Sequence, residues 1–275
     1  MPLSKESLRH SQAKHISELE AKDEFKVFDA LVHQKTLSPS DAVHTILDLT
    51  KAAIQASEQD DEALGMQLER TSACFFEAGA RASPDQQEKL IAVLQELQNT
   101  TVTDPKTGEP VQYFGSIVWA DLPTVGITFA DELGSFDPLD ATNWPEENER
   151  WELVTAFAAQ LTASPAIKFD MSSSWALTAF KYAFGTQNEP SEPTDVAIRA
   201  ACLWFMLAGE RLWDHVRKGD LFASVEGEND VKYNLERWEG WKKDLEKLKN
   251  SEDQKTRSLV ALALGTIGSV EGKNE

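Results

Sequence analysis

Three side chains stand where proton-transfer chemistry could occur. Glu210 directly follows the apolar run 200–209. We expect its carboxylate to be partly buried, and burial raises the pKa of a carboxyl toward the range of a general acid or base. His215 lies five residues further along the same predicted helix, and Asp121 precedes a Leu-Pro pair. The candidate catalytic residues are therefore Glu210, Asp121 and His215.

Glu210 and Asp121 also have structural interpretations. A buried carboxylate needs a partner, so Glu210 could form an ion pair with Arg199 or Arg237. Asp121 could cap a helix that the following proline begins, or it could stand at the mouth of an aromatic pocket. Both interpretations of each residue stay open at this stage.

The eight tryptophans begin only at Trp119, and residues 1–118 contain none. Indole combines a large apolar body with one N–H donor that needs a partner when buried. Their clustering predicts either a filled aromatic core or a cavity with aromatic walls. If there is a cavity, the candidate ligand-binding or partner-binding residues are Trp119, Arg211, Trp213, Arg237, Trp238 and Trp241.

The sequence contains none of the usual motifs for metals, nucleotides or nucleophiles. No spaced glycine loop precedes a helix to hold phosphate. The five histidines are dispersed and no C-x-x-C or H-E-x-x-H occurs, so we expect neither a metal nor a cofactor. Ser172, Ser173 and Ser174 are predicted to start a helix, because no glycine elbow surrounds them.

Composition restricts the partners. The chain has 27 basic and 46 acidic residues, a net charge of −19, which argues against nucleic acid. No apolar run approaches the roughly 20 residues that a membrane span needs, and the first residues lack a signal-peptide core. Two isolated cysteines favour a reducing compartment. We expect the cytoplasm, with the nucleus as the alternative, and the oligomeric state stays open.

Helical periodicity runs through nearly the whole chain and predicts an all-α fold of roughly ten helices in antiparallel pairs. The helix 195–218 should lie at the centre of the second half, capped by Thr194 and ended by Gly219. The turn-rich stretch 104–110 predicts an N-terminal subdomain, 1–103, and a tryptophan-rich subdomain, 104–275. One continuous domain is the alternative.

Several strings resemble an uncharacterised family of filamentous fungi, a domain of unknown function. They are the Trp-x-Asp-Leu-Pro of 119–123, the Ala-Phe-Ala-Ala-Gln-Leu-Thr of 156–162, the Ser-Trp-Ala-Leu of 174–177, the Ala-Gly-Glu-Arg-Leu-Trp of 208–213 and the Leu-Glu-Arg-Trp-Glu-Gly-Trp of 235–241. The resemblance covers roughly residues 25–270. It implies a soluble, helical fungal protein, and some members lie among genes for natural-product pathways.

Two classes of function remain. The first is a non-catalytic binding or accessory protein of such a pathway, with a small hydrophobic ligand or a protein as its partner. The second is a cofactor-independent enzyme, of the isomerase, cyclase or lyase type, that acts on a small hydrophobic metabolite. We favour the first because the catalytic motifs are missing, although acid–base chemistry needs only two or three residues that are distant in sequence.

Overall fold

The fold is all-α, as the periodicity predicts. The computed structural model describes residues 4–34, 36–56, 62–165, 167, 173–185, 193–222 and 231–273. These residues form eleven α-helices and two short two-stranded sheets. The contacts within the chain define two compact units, which divide between Glu132 and Leu133. The subdomain boundary expected at 103/104 stays a prediction.

The first unit contains five helices, a β-hairpin and most of a sixth helix. Their bounds are α1 Lys5–Glu20, α2 Asp23–His33, α3 Pro39–Ala56, α4 Glu62–Arg81, α5 Pro84–Gln98, β1 Gln112–Tyr113, β2 Ser116–Ile117 and α6 Val125–Gly134. Helix α4 packs against both α2 and α3, and α5 packs against α3 and α2.

Aromatic rings form the core of the first unit. Phe28, Phe75, Phe76 and Phe129 are all buried, and successive rings meet edge to face with centroids 5.3–5.6 Å apart. This edge-to-face arrangement places the positive edge of one ring on the negative face of the next. The chain of contacts joins α2, α4 and α6.

The second unit contains five helices and a second hairpin. Their bounds are α7 Pro145–Ala163, α8 Ser173–Phe184, α9 Asp195–Lys218, β3 Leu221–Phe222, β4 Val231–Lys232, α10 Leu235–Lys247 and α11 Gln254–Gly272, with a 3₁₀ turn at Leu248–Asn250. Helix α9 packs against α7, α8, α10 and α11. The prediction of a central helix over 195–218 is therefore confirmed.

Local end signals place the helices accurately. The Thr194 side chain accepts the Ala197 N–H, and Gly219 ends α9 with a φ of 68°, a left-handed conformation that costs glycine little. Ser83 forms a capping box with Gln86 at the start of α5. At α11 Asp253 supplies the cap, and its side chain accepts the Thr256 N–H.

The two hairpins were not predicted. Each strand has only two residues, too few to show an alternating pattern. Residues 221–232 begin and end with the paired strands β3 and β4. Residues 223–230 lie outside the described residues, as does Ser172 of the predicted helix start.

Candidate functional site

Glu210 is an exposed residue. Its side chain is 71% exposed and pairs with Lys273, the residue that follows α11. The expectation of a partly buried carboxylate paired with Arg199 or Arg237 is therefore wrong. Gly209, the preceding residue, faces α11 at Thr266. One helical step of about 100° then turns Glu210 toward solvent.

The arginines expected to neutralise Glu210 have other partners. Arg199 binds Glu152, a buried carboxylate of α7, and also contacts Asp253. Arg237 donates to the backbone oxygen of Lys232 and lies 6.0 Å from the ring centre of Trp241. Burial lowers the pKa of Arg237.

Asp121 lies in the first unit and closes a turn. Its exposed carboxylate accepts the Ile117 N–H at 2.6 Å. Helix α6 begins only at Val125, so Asp121 is not its cap. The structure thus places Asp121 in one unit, and Glu210 and His215 in the other.

Most of the tryptophans fill the core. Trp238 is fully buried, contacts the rings of Phe205 and Trp213, and donates its indole N–H to Glu271 at 2.8 Å. Trp241 lies against Phe180. In the first unit, Trp119 is 1% exposed and donates to the Thr50 hydroxyl at 3.1 Å. These three indoles are buried against other side chains of their own units.

His215 occupies the centre of a polar network that is buried at Ser173 and partly exposed at Asp220. Its Nε2 lies 3.1 Å from the Ser173 hydroxyl, and its Nδ1 lies 2.7 Å from a carboxylate oxygen of Asp220. Tyr233 donates its hydroxyl to the backbone oxygen of Ser173 at 2.7 Å. Phe222 and Tyr233 contact the imidazole. A serine, a histidine and an aspartate are thus within hydrogen-bonding reach, the order of groups found in nucleophilic serine sites.

Burial favours a structural role for this network, because Ser173 is fully buried and His215 is 4% exposed. Sequence reasoning found His215 but not its partners. Asp220 is five residues from His215, but the left-handed Gly219 folds the chain back, and the Asp220 N–H reaches the His215 carbonyl at 3.1 Å. The sequence His-x-x-x-Gly-Asp was the available signal. No local pattern links Ser173 to it.

A second feature of this unit is an open cleft of about 600 Å³ between α9 and α11. Small and apolar residues line most of it, among them Ala208, Gly209, Leu262 and Gly265. Glu210, Arg211 and Lys273 add charge, and Thr266 and Ser269 add hydroxyl groups. Two of the residues singled out in the sequence, Glu210 and Arg211, therefore meet at one cleft.

Two further observations on the described residues concern metal binding and membrane spanning. No group of three or more His, Cys, Asp and Glu side chains in the described ranges could hold a metal ion. Within the same ranges, no helix combines the length and the apolar character needed to cross a membrane.

The fold and these sites define an all-helical protein with an aromatic core in each of its two units. The chain belongs to a family of proteins of unknown function, DUF3632, whose model matches residues 73–245. No curated protein and no solved structure matches the chain.

Proposed function

We propose that the protein is a non-catalytic binding or accessory protein that holds a small, largely apolar molecule in the α9–α11 cleft. The cleft itself carries this proposal. Its volume of about 600 Å³ lies within the range of roughly 300–1,000 Å³ that small-molecule sites occupy. It is open to solvent, whereas the serine of the His215 network is fully buried.

The lining indicates the chemistry of the ligand. Alanine, glycine and leucine side chains favour an apolar body. The Ser269 hydroxyl, the Arg211 guanidinium and the Lys273 ammonium, which also pairs with Glu210, can donate to a carboxylate or carbonyl group on that body. The Thr266 hydroxyl donates to the Leu262 carbonyl and can only accept. The expected ligand is therefore a hydrophobic metabolite with one polar or anionic end.

The setting of this proposal, meaning the organism, compartment and pathway, comes from the resemblance of the tryptophan-containing strings to a family of filamentous fungi. It is the cytoplasm of a filamentous fungus, where the protein serves a natural-product pathway. Untargeted metabolite profiling of a deletion strain tests the setting. We expect one related group of metabolites to change, and an unchanged profile would contradict the assignment to a pathway.

Two glycines of α11 allow a matched test of the cleft. A Cβ built on Gly265 meets nothing within 4 Å, and the same is true of Gly268, but only Gly265 is part of the cleft lining. Gly265→Leu should therefore fill the cleft without disturbing the fold. Gly268→Leu makes the same change outside the cleft.

The probe is 1-anilinonaphthalene-8-sulfonate, which joins an apolar ring system to an anionic group. We expect saturable fluorescence enhancement by the wild-type protein and by Gly268→Leu, with at least tenfold weaker binding by Gly265→Leu. Equal binding by the two variants would place the dye elsewhere and contradict the proposal. Circular dichroism of both variants checks that the helical content is retained.

A second candidate function is catalysis by a nucleophilic serine, and the Ser173–His215–Asp220 network favours it. In such a reaction the Ser173 oxygen attacks an ester carbonyl while His215 Nε2 accepts the hydroxyl proton. His215 then returns that proton to the departing alkoxide, and water hydrolyses the acyl-serine. Asp220 holds the imidazole in the required tautomer. Because Ser173 is buried, this chemistry requires a motion that uncovers it.

A fluorophosphonate probe separates the two candidates. An enzyme of this kind should be labelled at Ser173, and labelling should disappear in Ser173→Ala and fall at least a hundredfold in His215→Gln. If the intact, folded protein is not labelled, the network is structural and the enzymatic candidate fails. The dye-binding test of the cleft is unaffected by this outcome.

A further inference from the structure

The hairpin of the first unit presents an exposed aromatic ring at its tip. Phe114 and Gly115 connect β1 to β2, and their φ angles are 47° and 80°. A two-residue connection with positive φ at both positions strongly prefers Asn, Asp or Gly at the first. A phenylalanine there is strained, and its side chain is nevertheless 90% exposed.

The same segment contains an informative contrast. Trp119 and Leu122 also have positive φ, 65° and 48°, but they are 1% and 2% exposed. Burial of these two large apolar side chains offsets the backbone strain. Phe114 contacts the ring of Tyr113, with centroids 4.5 Å apart, but it buries little surface. Its strain is therefore not balanced by packing within the described chain.

The support under Phe114 is firm. A Cβ built on Gly65 of α4 would lie 2.5 Å from the Tyr113 hydroxyl oxygen, so the Tyr113 ring lies directly on the backbone of α4. Tyr113 thereby fixes the hairpin to a helix and holds Phe114 outward. An apolar side chain presented on a fixed support loses little conformational entropy when it binds.

We infer that Phe114 is a docking anchor that inserts into an apolar pocket of a partner protein with a basic rim. Exposed aromatic side chains are typical anchors of protein interfaces. The rim of the partner's pocket should be basic because the first unit is acidic. Residues 1–132 contain 11 basic and 22 acidic residues, a net charge of −11. Three acidic residues, Asp104, Glu109 and Asp121, and one basic residue, Lys106, occupy the segments that flank the hairpin, a local excess of negative charge. The same charge disfavours a second copy of this chain and an anionic membrane.

The inference about Phe114 does not depend on the function proposed for the α9–α11 cleft. Its first test measures the backbone strain at Phe114. Phe114→Asn supplies the residue that the turn prefers and removes the anchor. We expect Tm to rise by about 2–4 °C, against no rise for Leu8→Gln, which replaces a side chain 52% exposed on α1. An unchanged or lower Tm for Phe114→Asn would show that the ring is supported within the chain and would overturn the inference.

The second test concerns binding. The photo-crosslinking residue p-benzoylphenylalanine is placed at position 114, and at position 8 as the control, in cells that make the protein. The captured partner is then purified, and its affinity for the wild-type chain and for Phe114→Asn is measured at low and high salt. We expect capture from position 114 alone, at least tenfold weaker binding by Phe114→Asn, and weaker wild-type binding at high salt.

Other results of this test contradict the inference. Crosslinks between copies of the chain would make the hairpin a self-association surface. Sedimentation of the wild-type protein with phosphatidylcholine–phosphatidylserine vesicles, lost in Phe114→Asn, would make it a membrane contact. Equal capture from positions 114 and 8, or equal affinity of the wild type and Phe114→Asn, would show that Phe114 is not an anchor.

Discussion

The guanidinium of Arg199, on α9, donates to the carboxylate of Glu152, on α7, over 2.7 Å. Glu152 is 6% exposed and also accepts from Lys255 at 2.6 Å. The pair therefore joins the central helix to α7 in a region where an unpaired charge would be costly.

Removal of Arg199 tests this pair. Arg199→Met should lower the free energy of unfolding by about 3 kcal/mol, near the lower end of the range for a broken buried pair because Lys255 remains. Urea denaturation measures the loss. Lys273→Met is the control, since it breaks an exposed pair with Glu210 and should change stability by no more than about 1 kcal/mol. Equal losses would show that burial does not distinguish the two pairs.

Two tryptophans should carry much of the core stability. Trp204 and Trp238 are 1% and 0% exposed, so truncation of either to alanine should cost about 3–5 kcal/mol. Trp144→Ala, at a position 55% exposed, should cost less than about 1 kcal/mol. Losses below about 1 kcal/mol for Trp204 or Trp238 would mean that the core around them is not packed as described.

The close approach of α9 and α11 depends on Gly209. A Cβ there would lie 3.0 Å from the Thr266 methyl carbon, so Gly209→Val should destabilise by about 1–3 kcal/mol through overpacking. Gly240→Val is the matched helical control, because its Cβ meets nothing within 4 Å. Thr266→Ser, which removes that methyl group, should restore part of the loss in Gly209→Val. If it restores nothing, the crowding lies elsewhere.

Stability should fall in alkali because of the two thiols. Burial raises the pKa of Cys74 and Cys202 from 9.0 to about 12, so above pH 9 the unfolded chain ionises them while the folded chain keeps their protons. The folded state then binds more protons, and the free energy of unfolding should decrease by about 1.4 kcal/mol per pH unit for each thiol. This contribution is fully present below pH 9.

Urea denaturation between pH 8 and 11 measures this slope. The double variant Cys74→Ala, Cys202→Ala retains every other titrating group, so its slope should be flatter than that of the wild type. Equal slopes would assign the alkaline loss to lysine and tyrosine instead.

Helix ends were predictable because their signals are local. Thr194 and Gly219 act within a few residues of their own position, and both have the predicted role. The prediction that Glu210 is partly buried was wrong. An apolar run indicates that the helix is buried along the run, but it does not show whether the next side chain faces the core or the solvent. The sequence indicated that Arg199 could neutralise a buried carboxylate, but that carboxylate, Glu152, belongs to another helix.

The candidate sites were less predictable because they are tertiary. Ser173 meets His215 only when α8 packs on α9, and the α9–α11 cleft exists only between two packed helices. The strain at Phe114 depends on its φ angle in a two-residue turn, and hydrophobic periodicity carries no information about that angle. His215 and Arg211 could be singled out because unusual polar residues on an apolar helix are visible in the sequence itself.

The uneven placement of the tryptophans gives the molecule an optical asymmetry. Trp119 is the one tryptophan of residues 1–132, and it is buried and bonded to Thr50, while the other seven belong to the second unit. Intrinsic fluorescence of the wild-type chain therefore reports mainly on the second unit. In Trp119→Phe it would report on that unit alone, so the difference between the two emission signals follows the unfolding of the first unit without any attached dye.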